Sequence, residues 1–257
     1  MNKTNYHPEP YWSKVAERIN SRAGKNVIAG DDEPYYRYKR KRFLELLHSI
    51  DFEGKKVLEV GSGPGGNLKE IAALKPKVLH GVDISKNMIA LASSLLADEK
   101  VQLTKINGQK LPFEDNFFDI IFTATVLQHN TDEQMMQRLL AEICRVSGDT
   151  IVLFERIDKT IQGDELCKGR PVSYYSELCA AHNFKLEEVE FINIHASYLY
   201  CGAIRKGLNS TAREEGEPLN KPSVFLQNIG LPVTSFLDKV FPKEKDVAKM
   251  VFRKTDS

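Results

Sequence analysis

Between Val57 and Leu68 the chain reads VLEVGSGPGGNL. An apolar run passes straight into crowded glycines, the order of a buried strand that turns sharply and opens into a helix. Glycines at such a turn let the backbone approach a ligand that a Cβ would push away, and they tolerate positive φ. Gly61, Gly63 and Gly66 satisfy G-x-G-x-x-G, and Asp83 follows at about the ~20-residue distance at which an acidic side chain meets a ribose. A carboxylate at the end of a second strand can accept from both ribose hydroxyls. The chemistry in view is the holding of an adenosine-containing cofactor, for transfer of either hydride or methyl. The plain alternative is a tight turn with no ligand.

Three features point away from a nicotinamide dinucleotide. Pro64 stiffens the loop and removes a backbone N–H where a pyrophosphate would need donors. Glu59 places a carboxylate just before the turn, where it would repel a pyrophosphate and attract an ammonium group. Asn107–Phe122, NGQKLPFEDNFFDIIF, puts polar groups at a strand's carboxyl end and an acidic turn before the next strand. Together they suggest a ligand that carries positive charge.

The elements that must position these residues alternate between strand and helix, the signature of a parallel sheet covered on both faces. Strands are expected at Lys55–Val60, Val78–Ser85, the run VQLTKING, Phe117–Leu127 and Asp149–Glu155. Helices are expected at Asn67–Leu74, around Met88–Leu95, from the capping candidate Thr131 onward, and at Tyr174–Phe184, near whose end stands Asn183. KLEEVEFINI and Val247–Lys254 read as two further strands. Between them lies an insertion, about 195–245, punctuated by Pro218, Pro222, Pro232 and Pro242, and a segment of that length in a compact domain needs secondary structure of its own. Two short helices are expected. Residues 1–50 read as a helical extension with Trp12, the aromatic run Pro34–Tyr38 and the basic run Arg37–Arg42. That extension is either a solvated charged face or a lid over a ligand pocket.

VLEVGSGPGGN, GVDIS and LPFEDNFFDIIF, in this order and at these spacings, resemble successive motifs of the class I S-adenosylmethionine-dependent methyltransferases of the small-molecule type. The resemblance covers roughly Lys55–Glu155, and the closing strands look like the family's sixth and seventh. It implies an α/β, Rossmann-like doubly wound seven-stranded sheet, mostly parallel with the last strand antiparallel. The domain would run over 51–257, with the helical extension before it and the insertion inside it. By the same similarity Glu59 would help hold the methionine ammonium through water, and Gly61, Ser62 and Gly63 would meet the methionine portion. Asp83 would bind the ribose hydroxyls, and Ile84 and Met88 would pack on adenine. Asn107 stands where many relatives have aspartate; its amide oxygen could accept from the adenine amine, with Gly108 and Gln109 nearby.

The sulfonium makes methyl a good electrophile, so the protein's task is chiefly to align the acceptor. ATVLQHN, Ala124–Asn130, follows the fourth strand at the edge where open α/β sheets bind ligands. It presents Gln128 as a substrate contact and His129 as a catalytic candidate able to take a hydroxyl proton; a histidine that only shapes the pocket is the alternative. The Asn/Asp-Pro-Pro-Tyr motif of adenine and glutamine methyltransferases is absent there. A small acceptor remains: a sugar or glycan hydroxyl, a secondary metabolite or a lipid-like quinone. Tyr36 and Tyr38, with Tyr174, Tyr198 and Tyr200, could stack on its ring or fill ordinary half-buried positions.

Lysine plus arginine, 36, nearly balances aspartate plus glutamate, 35, so neither nucleic acid nor an anionic membrane is expected as the main partner from net charge. Met1–Pro10 lacks an apolar leader and no stretch approaches ~18 apolar residues, which gives a cytoplasmic expectation without stable membrane insertion. Cys144, Cys167, Cys179 and Cys201 have no zinc-type spacing, so reduced thiols and no metal are expected. The apolar insertion is available for a homodimer contact or for resting on a membrane surface.

Overall fold

A computed structural model describes residues 7–21, 32–211, 213 and 217–255. Parts of the expected N-terminal extension, 1–6 and 22–31, lie outside the described residues.

The strands are β1 (Lys56–Val60), β2 (Val78–Asp83), β3 (Val101–Lys105), β4 (Phe118–Ala124), β5 (Ser147–Ile157), the short hairpin β6 (Gln162–Gly163) and β7 (Lys168–Gly169), β8 (Phe184–Phe191) and β9 (Asp246–Lys254). Seven of them form one sheet in the order β3-β2-β1-β4-β5-β9-β8. β1 pairs in parallel with β2 and β4, and β4 with β5, whereas β9 runs antiparallel to both β5 and β8. The expected doubly wound sheet with an antiparallel last strand is what the chain forms.

The helices are α1 (Pro8–Asn20), α2 (Pro34–Leu47), α3 (Gly66–Ala72), α4 (Lys86–Leu95), α5 (Glu133–Val146), α6 (Val172–Ala180), α7 (His195–Leu208) and α8 (Lys221–Val240). Alternation along β1 explains the two-faced core: Leu58 and Val60 join α5 and α6 on one side, and Val57 joins α2 and α3 on the other. Glu59 shares the Val57 face, the one α2 and α3 cover. α1 is a separate layer, whose Val15, Ala16 and Ile19 close over Met88 of α4.

Two local expectations change. Thr131 does not cap α5; its hydroxyl donates to the Glu165 carbonyl, and Asp132 accepts from the Gln134 and Met135 N–H groups instead, because a carboxylate is the stronger acceptor at a helix N-terminus. The insertion holds long helices rather than short ones. α8 runs 20 residues through Pro222 and Pro232; in the first turn Pro222 forfeits no helix bond.

Candidate active site

β1 and β4 are neighbours from which the chain departs in opposite directions, so their carboxyl ends leave a crevice, the usual ligand site of an open α/β sheet. The glycine loop fills one lip. Gly61, Gly63 and Gly65 have φ of 76°, 51° and 85°, so Gly65, and not the Gly66 of the sequence pattern, carries the third left-handed turn. A Cβ on Gly61 would stand 2.3 Å from Val126 Cγ2. Asp83 braces the loop from β2: one oxygen accepts from Gly63 N–H at 2.9 Å and the other from Ser85 N–H at 2.8 Å. Burial pushes its carboxyl up, against the pull of those donors.

Glu59 is buried beneath the loop. Its Oε1 accepts from Asn67 Nδ2 at 2.7 Å while Oε2 has no partner. Burial pushes this carboxyl up to about 8, opposed by the Asn67 bond and the Arg40 charge. Arg40 of α2 donates to Asn67 Oδ1 at 3.0 Å and to the Gly66 carbonyl at 3.1 Å. A chain of contacts thus ties the N-terminal helix to the glycine loop and the loop to the acid.

The other lip is the segment after β4. Thr125 has φ of 58°, a strained setting for a β-branched residue. Buried Glu155 accepts from the Thr123 hydroxyl and from the N–H groups of Val126, Leu127 and Gln128, at 2.7 to 3.1 Å, and so gathers the orphan donors of the short 3-10 turn Leu127–His129. Fully buried Arg170 donates to the Leu127 and Asn130 carbonyls, each at 2.8 Å, and pairs with Glu133. Both charged residues are spent on fixing this lip.

His129 hangs from it with a defined proton. Its Nδ1 lies 2.8 Å from the Leu166 carbonyl, which can only accept, so Nδ1 carries the hydrogen. The Gln128 amide oxygen accepts from Arg156 N–H, which turns the amide nitrogen toward the lone pair of His129 Nε2 at 3.2 Å. Burial lowers the imidazole pKa. Trp12 of α1 meets the ring edge-on, centroids 5.1 Å apart.

Two cavities adjoin here. One, of about 800 Å³, runs between Asp83, Ile84 and Met88 on one side and Ile106 and Gly108 on the other, under Pro8 and Trp12. The second, of about 1200 Å³, holds Glu59, Asn67, Gln128 and, from α2, Tyr36, Lys39, Arg40 and Phe43. Gly61, Gly63, Thr125, His129 and Trp12 line both.

The expected site residues gather only in part. Glu59, Gly61, Ser62, Gly63, Asp83, Ile84, Met88, Gly108, Gln128, His129 and Tyr36 all face one cavity or the other. Asn107 and Gln109 are exposed, and the Asn107 oxygen accepts from the Gln109 and Lys110 N–H groups in its own turn. Tyr38 points away, its hydroxyl donating to Asp238 of α8. Tyr174 binds Glu133, Tyr200 donates to the Leu226 carbonyl, and Tyr198 is exposed. Missed were Arg40, Lys39 and Phe43, whose helix read as a charge run, and Thr125, whose strain leaves no trace in composition. Trp12, part of an extension that reads as either a solvated face or a lid, lines both cavities.

The sheet order, the reversed last strand and a glycine loop braced by an acid on β2 define the Rossmann-like methyltransferase class of fold. Residues 57–148 match the family described as "Methyltransferase domain", and over that span the chain is similar to S-adenosylmethionine-dependent methyltransferases. Similar proteins include phosphoethanolamine N-methyltransferase 2 of Caenorhabditis elegans, 30% identical over 40% of this chain and 24% of that protein. Malonyl-[acyl-carrier protein] O-methyltransferase of Legionella pneumophila is 31% identical over 42% and 38%. A ubiquinone/menaquinone biosynthesis C-methyltransferase of Ectopseudomonas mendocina is 28% identical over 54% and 57%. The chain therefore spans well under two thirds of each. Magnesium protoporphyrin IX methyltransferase from Synechocystis, solved with bound S-adenosylhomocysteine, shares the fold at TM-score 0.60 and 11% identity over 96% of this chain and 98% of that one. A [4+2]-cyclase shares it at TM-score 0.60 and 17% identity, over 85% and 82%.

The family's cofactor, S-adenosylmethionine, fits the residues present. The unpartnered Glu59 Oε2 is an acceptor suited to an ammonium, and Asp83 presents a carboxylate where a ribose would lie. The gap between Ile84 and Gly108 stays open because a Cβ on Gly108 would come within 3.0 Å of Ile84 Cδ1.

Proposed function

We propose that the chain methylates a small-molecule acceptor, at a hydroxyl of a sugar, glycan or secondary metabolite, in the second cavity. The observation that carries this reading is the shared rim: one cavity suits an adenosine, and the other is open space beside it, lined by aromatic and polar side chains. A protein that bound the cofactor only for stability would fill that space. When bound, the cofactor supplies an activated methyl; this chain's residues bind, orient and exclude water.

Asp83 accepts from the ribose hydroxyls, Ile84, Met88 and Gly108 flank adenine, and Glu59 meets the ammonium, directly or through water. Asn107 and Gln109 stand at the outer end of the adenine slot and act there only if their turn opens. Arg40, above Asn67, is placed for the amino-acid carboxylate. His129 offers Nε2 at the rim as proton acceptor for a hydroxyl, which displaces the Gln128 amide from that lone pair; its lowered pKa keeps Nε2 free at neutral pH. Tyr36 and Gln128 contact the acceptor, while Tyr38 supports α2 from behind.

Transfer of labelled methyl from S-adenosylmethionine to a panel of sugars, phenols, quinols and primary and secondary amines tests this. Product with a hydroxyl acceptor, reduced ~10²-fold in His129→Asn, is expected. Product confined to amine acceptors would overturn the assignment to oxygen.

A further inference from the structure

α8 is inside out. Its buried residues are Ser223, Gln227, Thr234 and Asp238, and each has partners: Asn209 for Ser223, Tyr35 N–H for Gln227, and Ser197 for both Thr234 and Asp238. Its outward face carries a continuous apolar stripe. Phe225, Ile229, Val233 and Phe236 are 63%, 57%, 63% and 64% exposed, with Val240 and Phe241 continuing the stripe. An ordinary surface helix shows the reverse arrangement. Phe225, Phe236 and Phe241 alone leave on the order of 400 Å² bare, already near the largest patch of a typical monomer. The polar face docks α8 to the protein, so the apolar face is left for something else.

Charge selects what that is. The exposed charges along α8 are Lys221 and Lys239; Lys206 of α7 and Lys243 and Lys245 add to them, and Asp238 is turned inward. Glu217 and Glu244 lie beyond the helix ends, as Lys243 and Lys245 do, and leave the lysines in excess, five to two. A second copy pairing face to face would bring lysine against lysine, with no exposed acid on the stripe to answer. No helix among the described residues is long and apolar enough to cross a membrane. An apolar stripe of this length with flanking lysines suits the plane of an anionic bilayer, aromatic groups among the acyl chains and ammonium groups at the phosphates.

We propose that α8 docks the protein on an anionic lipid surface. This goes beyond methyl transfer and does not depend on it. α2 links the two regions: it bonds α8 through Tyr35 and Tyr38, and its Tyr36, Lys39 and Phe43 line the second cavity. Docking therefore couples the membrane surface to the cavity wall.

The test is co-flotation of the full chain with vesicles of phosphatidylcholine, with and without phosphatidylglycerol. Wild type should float with the anionic vesicles. Phe225→Ser with Phe236→Ser, and separately Lys221→Glu with Lys239→Glu, should each reduce the floated fraction at least ~10-fold while the thermal melt stays unchanged, since these side chains are exposed. No flotation of wild type with either composition would overturn the proposal. So would a concentration-dependent dimer in light scattering, formed without lipid and abolished by the double serine variant.

Discussion

Glu59 makes cofactor binding a proton-coupled event. Its carboxyl, buried with one oxygen unpartnered, is pushed up to about 8, so near neutral pH it is mostly protonated. A ligand ammonium beside it favours the charged form, and binding therefore releases a proton. The ionised fraction climbs from about one in a hundred near pH 6 to one half near pH 8; with the ligand's own α-amino group losing its proton over the upper part of that window, Kd should fall ~20-fold across it and level off near pH 8. Calorimetry at several pH values, in two buffers of different ionisation enthalpy, reads both the affinity and the released proton. Glu59→Gln keeps an acceptor at the same place and should flatten the profile. Stability of the ligand-free protein follows the opposite sign. The folded state holds this proton between about pH 4.5 and about pH 8 while the unfolded state does not, so stability falls as pH rises through that window. Glu59→Gln should escape that loss, on the order of 3–5 kcal/mol when fully realised. A wild-type Kd that stays flat from about pH 6 to about pH 8, with no proton released, would refute the reasoning.

Asp83→Asn keeps one oxygen for the loop and removes the charged ribose acceptor, and calorimetry should show cofactor affinity down at least ~10-fold with the circular dichroism of the fold intact. Gly61→Ala, at φ 76° and with its Cβ 2.3 Å from Val126 Cγ2, should lower stability by about 1–3 kcal/mol in denaturant titration. Arg170→Leu strands the Leu127 and Asn130 carbonyls, while Glu133 keeps Tyr174 and Lys168, and a loss of about 2–4 kcal/mol in the same assay is expected; a loss below ~1 would mean that it clamps nothing. Trp12→Ala should weaken cofactor binding about 5–10-fold by opening both cavities on one side.

The sheet was readable because β1, β2, β4 and β5 are buried on both faces and so write themselves as apolar runs, with glycines and Asp83 at their ends. What escaped depends on contacts between distant segments. Nothing near Arg40 in sequence says that it will meet Asn67, and nothing near Glu155 says that it will collect the N–H groups after β4. The tyrosines divided for the same reason: neighbours on α2, Tyr36 and Tyr38 differ by two residues, about 200° of helix, so one reaches the cavity and the other Asp238. α8 misled through its prolines, which read as breaks, although Pro222 sits in a first turn where its missing N–H costs nothing. Its apolar period was legible; the reversal of its faces was not, because only the polar partners on α2 and α7 decide which side turns inward.

The most direct test of the central claim is parallel calorimetric titration of the chain with S-adenosylmethionine, S-adenosylhomocysteine and NADH. Micromolar binding of the first two, worth about 8 kcal/mol, with no heat from the third, is the predicted result. Binding of NADH, or of none of the three, would contradict the reading of the glycine loop, Glu59 and Asp83 as a methyl-donor site.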